Sequence, residues 1–135
     1  MTAAFHLQII SPAAIVVDAH VPMAQIPGLQ GDFGVLPGHA PFFSMIRPGV
    51  IDVQFNDGFH RRFFAASGYA DVTPTRCTVI SDHIQDVSEI SLSDAEDAIQ
   101  EARRALAGAK NDSERTAAQK LLETSEALSA AVRNR

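Results

Sequence analysis

All seven prolines of this 135-residue chain lie between Pro12 and Pro74, and none follows. A proline inside a helix removes a hydrogen bond and clashes with the preceding turn, so the first part of the chain cannot be built from long helices. The pattern of apolar residues changes at the same place. Before about residue 90 they alternate in short runs broken by Gly, Pro, Asn and Asp, and beyond it they recur with helical spacing in an alanine-rich stretch. Two units of different class are expected, with bounds at 1–87 and 88–135.

In the first unit Phe5, Leu7 and Ile9 share one face, with His6 and Gln8 on the other. The stretch "AAIVVDAHVPMAQI" predicts two short strands with an irregularity near Asp18 to His20. Ile51, Val53 and Phe55 alternate with Asp52 and Gln54, and "NDG" at 56–58 then predicts a hairpin returning along Phe59–Ala65. The segment "GYADVTPTRCTVISD" predicts another. About eight to ten short strands at this spacing indicate a sandwich or flattened barrel.

In the second unit Ser93 and Glu96 have the spacing of a capping box. Ala95, Ala98, Ile99, Ala102, Ala105 and Leu106 then form one stripe, ended by Gly108 as the C′ residue. Asn111 with Glu114 caps a second helix carrying Ala118, Leu121, Leu122, Ser125, Leu128 and Val132. The short link predicts an antiparallel hairpin. Its mostly alanine seam buries little apolar area, so a hairpin that can detach from its support is expected.

Several function classes drop out. The net charge is −5 and no Lys/Arg cluster marks a nucleic-acid footprint. "DFG" at 32–34 matches the magnesium-holding tripeptide of protein kinases, but the Gly-rich loop and catalytic-loop motifs of a kinase are missing. Gly31, Gly34 and Gly38 do not form a phosphate loop, since no Gly-Lys-Ser/Thr follows. No two of His6, His20, His39, His60 and His83 stand two or four residues apart, so no metal site is expected. No serine sits in a nucleophile elbow.

Cys77, the single cysteine, predicts a buried thiol and a reducing compartment. No apolar run approaches the roughly 18 residues of a spanning helix, which predicts a chain soluble on its own and joined to membranes only through partners. What stands out is "GDFGVLPGHAPFF" at 31–43. Its prolines stiffen a loop whose Phe33, Leu36, Phe42 and Phe43 exceed what one turn can bury, the composition of a surface gripped by another protein.

These residues carry a family likeness. The run Gly31-Asp32-Phe33-Gly34-Val35-Leu36-Pro37-Gly38-His39-Ala40-Pro41, with Pro48-Gly49 after it, resembles the epsilon subunit of bacterial F-type ATP synthases. "FHLQIISP" at the start and "AASGYADVTPTRCTVISD" at 65–82 support it. The resemblance implies a ten-stranded flattened β-sandwich followed by a two-helix hairpin. It implies a non-catalytic subunit of the central stalk of the proton-driven rotary complex, bound to the gamma subunit and the c-ring. The location implied is the cytoplasmic face of the bacterial inner membrane, and the lack of a transit peptide favours a bacterial source over an organelle precursor. By the same resemblance Gln30, Gly31 and Asp32 face the c-ring, with Asp32 offering its charge to basic residues there. His39, Ala40, Pro41 and Phe42 lie beside gamma, His39 as a packing and hydrogen-bonding residue.

The hairpin departs from the family. Members that bind ATP there open the first helix with Ile/Leu-Asp-x-x-Arg-Ala; here "LSDAEDA" places Asp97 where the arginine stands. A carboxylate repels a phosphate chain, so no ATP and no other cofactor is expected. Members that inhibit hydrolysis present basic residues to the alpha and beta subunits. Arg115, Lys120, Arg133 and Arg135 are interleaved here with Glu114, Glu123 and Glu126, so contact with alpha and beta remains open and inhibition is expected to be weak or absent. The competing reading is a free-standing binding module for carbohydrate or peptide, which would need an aromatic platform; the chain has no Trp and one Tyr.

Overall fold

In the computed structural model, residues 3–135 are described. They form two compact units, Met1–Asp86 and Val87–Arg135. Among the described residues the first contains ten strands: β1 (Phe5–Ile10), β2 (Ile15–Val21), β3 (Met23–Gly28), β4 (Gly31–Val35), β5 (Phe42–Met45), β6 (Gly49–Gln54), β7 (His60–Ala65), β8 (Tyr69–Val72), β9 (Arg76–Ile80) and β10 (Ile84–Asp86). They pair as two five-stranded sheets, ordered β2-β1-β9-β8-β5 and β10-β7-β6-β3-β4. One apolar cluster draws Phe5, Leu7, Ile9, Val72 and Val79 from the first sheet and Ile26, Val35, Ile51, Val53 and Phe63 from the second. That shared core makes the pair a β-sandwich.

The expected alternation holds at β1 and β6, where Phe5, Leu7, Ile9, Ile51 and Val53 are fully buried and Phe55 packs partly against them. Two details differ. The irregularity expected near Asp18–His20 is absent, because β2 runs straight to Val21; the register shifts instead between Ile9 and Ile10, and the chain breaks at Pro22, between β2 and β3. The "NDG" turn is longer than a two-residue hairpin. Phe55 and Phe59 close it, Asp57 accepts from the Phe59 amide at 2.9 Å, and the strand resumes at His60.

Cys77 is buried in β9 as expected. Burial, aided by the Asp71 carboxylate, pushes its thiol up to about 12. Thiolate chemistry is therefore suppressed in the folded chain. Iodoacetamide at neutral pH is expected to leave Cys77 unmodified until denaturant is added, and rapid labelling of the native chain would contradict this burial.

The second unit holds a short 3-10 turn at Val87–Glu89 and two helices, α1 (Leu92–Ala107) and α2 (Asp112–Arg133), packed on each other. Ser91, not Ser93, caps α1. Its side chain accepts from the Asp94 amide at 3.0 Å, and its carbonyl accepts from the Ala95 amide. Both serines stand three residues before an acid, and the helical ladder starts from the earlier one. Gly108 caps the end without entering the left-handed region, at φ −91°, so an ordinary residue would satisfy that backbone. Asn111 caps α2 as expected, accepting from the Glu114 amide at 2.8 Å, while Glu114 accepts in turn from the Lys110 amide.

Small residues fill the seam: Ala95, Ala102, Ala118, Ser125, Ser129 and Ala131 are buried, with Val132 at its end. Ser125 satisfies its hydroxyl on the Leu121 carbonyl at 2.8 Å. Towards the loop the stripe opens, leaving Ala105 and Leu121 exposed. The other end is tied by charge: Arg133 pairs with Glu96, and Arg135 donates to the carbonyls of Val87 and Ile90.

Candidate functional site

Strand β4 is the outer strand of one sheet and β5 the outer strand of the other. The chain between them, residues 36–41, crosses from sheet to sheet. The segment singled out in the sequence is therefore the open edge of the sandwich, where the layers part.

At one end of this edge lies the turn joining β3 to β4. Leu29 and Gln30 form its tip, and Gly31 and Asp32 begin β4. Gly31 has φ +141°, a conformation that side-chain-bearing residues rarely adopt, which explains glycine at this position. The Leu29 amide donates to the Met45 carbonyl at 2.8 Å, tying the turn to the end of β5. Asp32 is not a free acid. Its carboxylate accepts from Arg47 Nη2 at 2.5 Å, while Nη1 of the same guanidinium donates to the Gly28 carbonyl at 2.5 Å.

At the other end, residues 36–41 are held by backbone bonds. The Gly38 amide donates to the Pro74 carbonyl at 2.8 Å and the His39 amide to Leu36 at 3.1 Å. His39 Nδ1 donates to the Ala40 carbonyl at 2.6 Å, the hydrogen-bonding role expected of it. Ala40, Pro41 and Phe42 are exposed.

Between the ends runs a recess of about 420 Å³, lined by residues 29–33 and 42–45. The structure thus brings Gln30, Gly31 and Asp32 together with Phe42 in the lining of one recess, and His39, Ala40 and Pro41 are not among its lining residues. Apolar surface is concentrated here: Leu29 is 62% exposed, Phe43 58%, Met45 51% and Phe42 45%. The aromatics wrap both sides of β5. Phe42 meets Phe33 edge to face at 5.0 Å, and Phe43 lies 5.4 Å from Tyr69.

A four-residue edge strand with three large apolar side chains in water is a liability unless a partner covers it. Leu29, Met45, Tyr69 and Arg47 were not singled out from the sequence. Arg47 is the lone cation between residues 31 and 53, a visible signal. Its pairing with Asp32 needs the fold.

Elsewhere, His6 and His20, far apart in sequence, face each other across β1 and β2 with rings stacked at 4.9 Å. The hydrogen bond from His6, at 2.5 Å, is the largest cause holding the Asp18 carboxyl below its ordinary value. Among the described residues no group of three His, Cys, Asp or Glu is placed to hold a metal ion, and no helix is long and apolar enough to cross a membrane.

Comparison with known proteins identifies the architecture. Residues 4–87 match the family model described as the ATP synthase delta/epsilon chain, beta-sandwich domain. The chain belongs to the ATP synthase delta/epsilon family. The ATP synthase epsilon chain of Paramagnetospirillum magneticum is 36% identical over 98% of this chain and 99% of its own length. That of Rhodospirillum centenum is 40% identical over 89% of this chain and 86% of its own. These relatives extend family membership through the helical unit, and make the chain an epsilon-type, non-catalytic subunit of ATP synthase.

Solved structures share the fold. A chain of the Euglena gracilis mitochondrial ATP synthase superposes with a TM-score of 0.86 at 22% identity, covering 98% of this chain and 83% of that one. One from the central stalk and c-ring of the Tetrahymena thermophila enzyme gives 0.70 at 10% identity, covering 97% and 98%. The expected ten-stranded sandwich with a two-helix hairpin is the fold of the family, and membership sets aside the free-standing binding module.

Proposed function

We propose that this chain is the central-stalk subunit that couples rotation of the proton-driven c-ring, through the gamma subunit, to the catalytic head of ATP synthase. It forms and breaks no bonds of its own. The observation that supports this reading is the open edge: a pre-shaped turn at one end, an exposed aromatic strand beside it, and a rigid sandwich behind both. Torque transmission needs stiffness and a broad dry contact, and a two-layer β-domain with a packed core supplies the first.

The run from half-buried His39 through exposed Ala40, Pro41 and Phe42, continued by Phe43 and Met45, is the gamma-facing surface, since aromatic and Met side chains are what a stable interface core uses. Gln30, Gly31 and Asp32 face the c-ring. The complex sits at the cytoplasmic face of the bacterial inner membrane, with this chain held there through its partners.

The hairpin is a minor regulator in this account. The groove between the helices near their loop, about 330 Å³, is lined by Glu114 and otherwise by Ala105, Gly108, Ala109, Ala117, Ala118 and Leu121. It offers a carboxylate and no cation to a phosphate chain, and Asp97 on α1 adds another negative charge to the unit. These charges argue against ATP binding in the hairpin. Three of its four candidate basic contacts are engaged within the unit: Arg115 with Asp112 at 2.7 Å, Arg133 with Glu96, and Arg135 with backbone carbonyls. Deleting residues 93–135 is expected to leave ATP hydrolysis by the assembled complex within about twofold of normal. A several-fold rise would make the hairpin an inhibitor.

Affinity capture tests the whole reading. The chain, tagged at its C-terminus, is recovered from detergent-solubilised membranes of its source, and co-purifying proteins are identified by mass spectrometry. Gamma, alpha, beta and c subunits are expected together. Their absence, with the ATPase intact, would refute stalk membership.

A further inference from the structure

The outer strands of the two sheets are β2, β5, β10 and β4, and the first three are blunted. β10 is three residues long. β5 has four, and its last carbonyl is taken by the Leu29 amide. β2 carries exposed Asp18 and His20 and stops before Pro22. Such devices keep an edge from pairing with other chains. β4 lacks them. It pairs regularly with β3 from Gly31 to Val35, holds no Lys or Pro, and has one charge, Asp32, which Arg47 engages.

The register shows what this edge presents. Pro27 turns its carbonyl away from β4, to the Arg47 amide, and the Leu29 amide likewise goes to Met45. In an antiparallel ladder the two residues of a pair turn their backbone groups either both towards or both away from each other. Pro27 faces Asp32, and Gln25 faces Gly34. The amides and carbonyls of Asp32 and Gly34 therefore point out of the sheet, where no further strand lies among the described residues.

Gly34 supplies a second observation. It is exposed, and its φ lies outside the left-handed region. An added Cβ would meet only the terminal methyl of Met23, at 3.5 Å, an ordinary contact. Neither backbone angle nor neighbouring atoms in the sandwich require glycine there. A glycine inside a strand weakens it, and where no bulge is present it marks a close approach by another backbone.

We propose that the β4 edge is a strand-addition site, and that an extended segment of the gamma subunit pairs with it across Asp32 and Gly34. The proposal rests on the reading of residues 39–42 as gamma-facing and names how that contact continues. β4 leads from the turn assigned to the c-ring straight towards the gamma-facing run, so a segment laid along it prolongs the gamma contact without a break. Main-chain hydrogen bonds hold such a segment, and pockets for alternate side chains select it. Every second side chain of the segment turns inward, to a recess whose lining includes Leu29, Phe33, Phe42, Phe43 and Met45. The gamma segment is therefore apolar at alternate positions.

Amide hydrogen exchange, resolved by residue with NMR spectroscopy, is followed in the free chain and in its complex with isolated gamma. In the free chain the Asp32 and Gly34 amides are expected to exchange fast and the Phe33 amide slowly. Binding is expected to slow Asp32 and Gly34 by about 100-fold or more. In parallel, Gly34→Val is titrated against gamma. Valine suits a strand, so the free variant is expected to melt no lower than the parent chain. Its binding to gamma is expected to weaken by about 30-fold or more, with Gly34→Ala falling between the two.

A complex in which the Asp32 and Gly34 amides exchange as in the free chain would overturn strand addition while leaving the gamma-facing reading intact. Gly34→Val binding as tightly as the parent, or melting well below it, would overturn the close approach at Gly34. Protection of both amides in a self-associated free chain would assign the edge to a second copy and overturn gamma as its occupant. Failure of the parent chain to bind gamma at all would refute the reading on which the proposal rests.

Discussion

Replacing Gly68 with alanine is expected to lower the melting temperature of the sandwich by about 10 °C or more, or to prevent folding at growth temperature. Gly68 lies between β7 and β8 with φ +128°. An added Cβ would sit 2.1 Å from the Ile80 carbonyl oxygen and 2.9 Å from Ser81 Cα, both backbone atoms that cannot swing aside. A side chain in that conformation costs about 1–3 kcal/mol by itself, and forcing the Ile80–Ser81 backbone away adds about as much. The disturbance would reach the open edge, because the Gly68 carbonyl accepts from the Ile46 amide at 2.8 Å, next to β5 and Arg47. Thermal unfolding followed by circular dichroism measures the effect. A shift of under 2 °C would mean that the β7–β8 link relaxes freely.

The second large effect concerns assembly rather than folding. Phe43→Glu changes a side chain that is 58% exposed in the isolated chain and touches Tyr69 at 5.4 Å. Little core packing is lost, so stability of the free subunit is expected to stay within about 1 kcal/mol of normal. In a dry interface the outcome reverses. The partner loses an aromatic contact and must bury an unpaired carboxylate, which together weaken association by about 100-fold or more. Binding to an isolated gamma subunit, compared with unfolding of the same variant, separates the two. Unaltered binding would remove β5 from the interface.

How far the sequence carried the description depended on the range of each interaction. Alternation identified the buried faces of β1 and β6 because burial on one side of a strand repeats every second residue, whatever its neighbours. The capping of α2 by Asn111 was equally local. Where two local solutions competed, sequence had no means to choose: Ser91 and Ser93 each precede an acid by three positions, and only the first residue to leave extended geometry decides.

Gly108 ends α1 as expected, although without the left-handed conformation a glycine allows. A glycine permits that conformation without requiring it, and its amide found the Arg104 carbonyl at φ −91°. Contacts that join distant segments were invisible. The grip of Arg47 on Asp32, the approach of Tyr69 to Phe43 and the stacking of His6 on His20 each need strands to be placed beside one another. The likeness of residues 31–41 to a family drew attention to the candidate site; the pairing within it came from the fold.

The central claim is that the two ends of one sandwich edge meet different partners, and site-specific photo-crosslinking tests it most directly. A photoreactive residue is placed at Gln30 in one sample and at Pro41 in another, both exposed, within the assembled complex in its own membranes. The account predicts a crosslink from position 30 to the c subunit and from position 41 to gamma. Crosslinks from both positions to the same subunit, or from neither to any subunit of the ATP synthase, would contradict it.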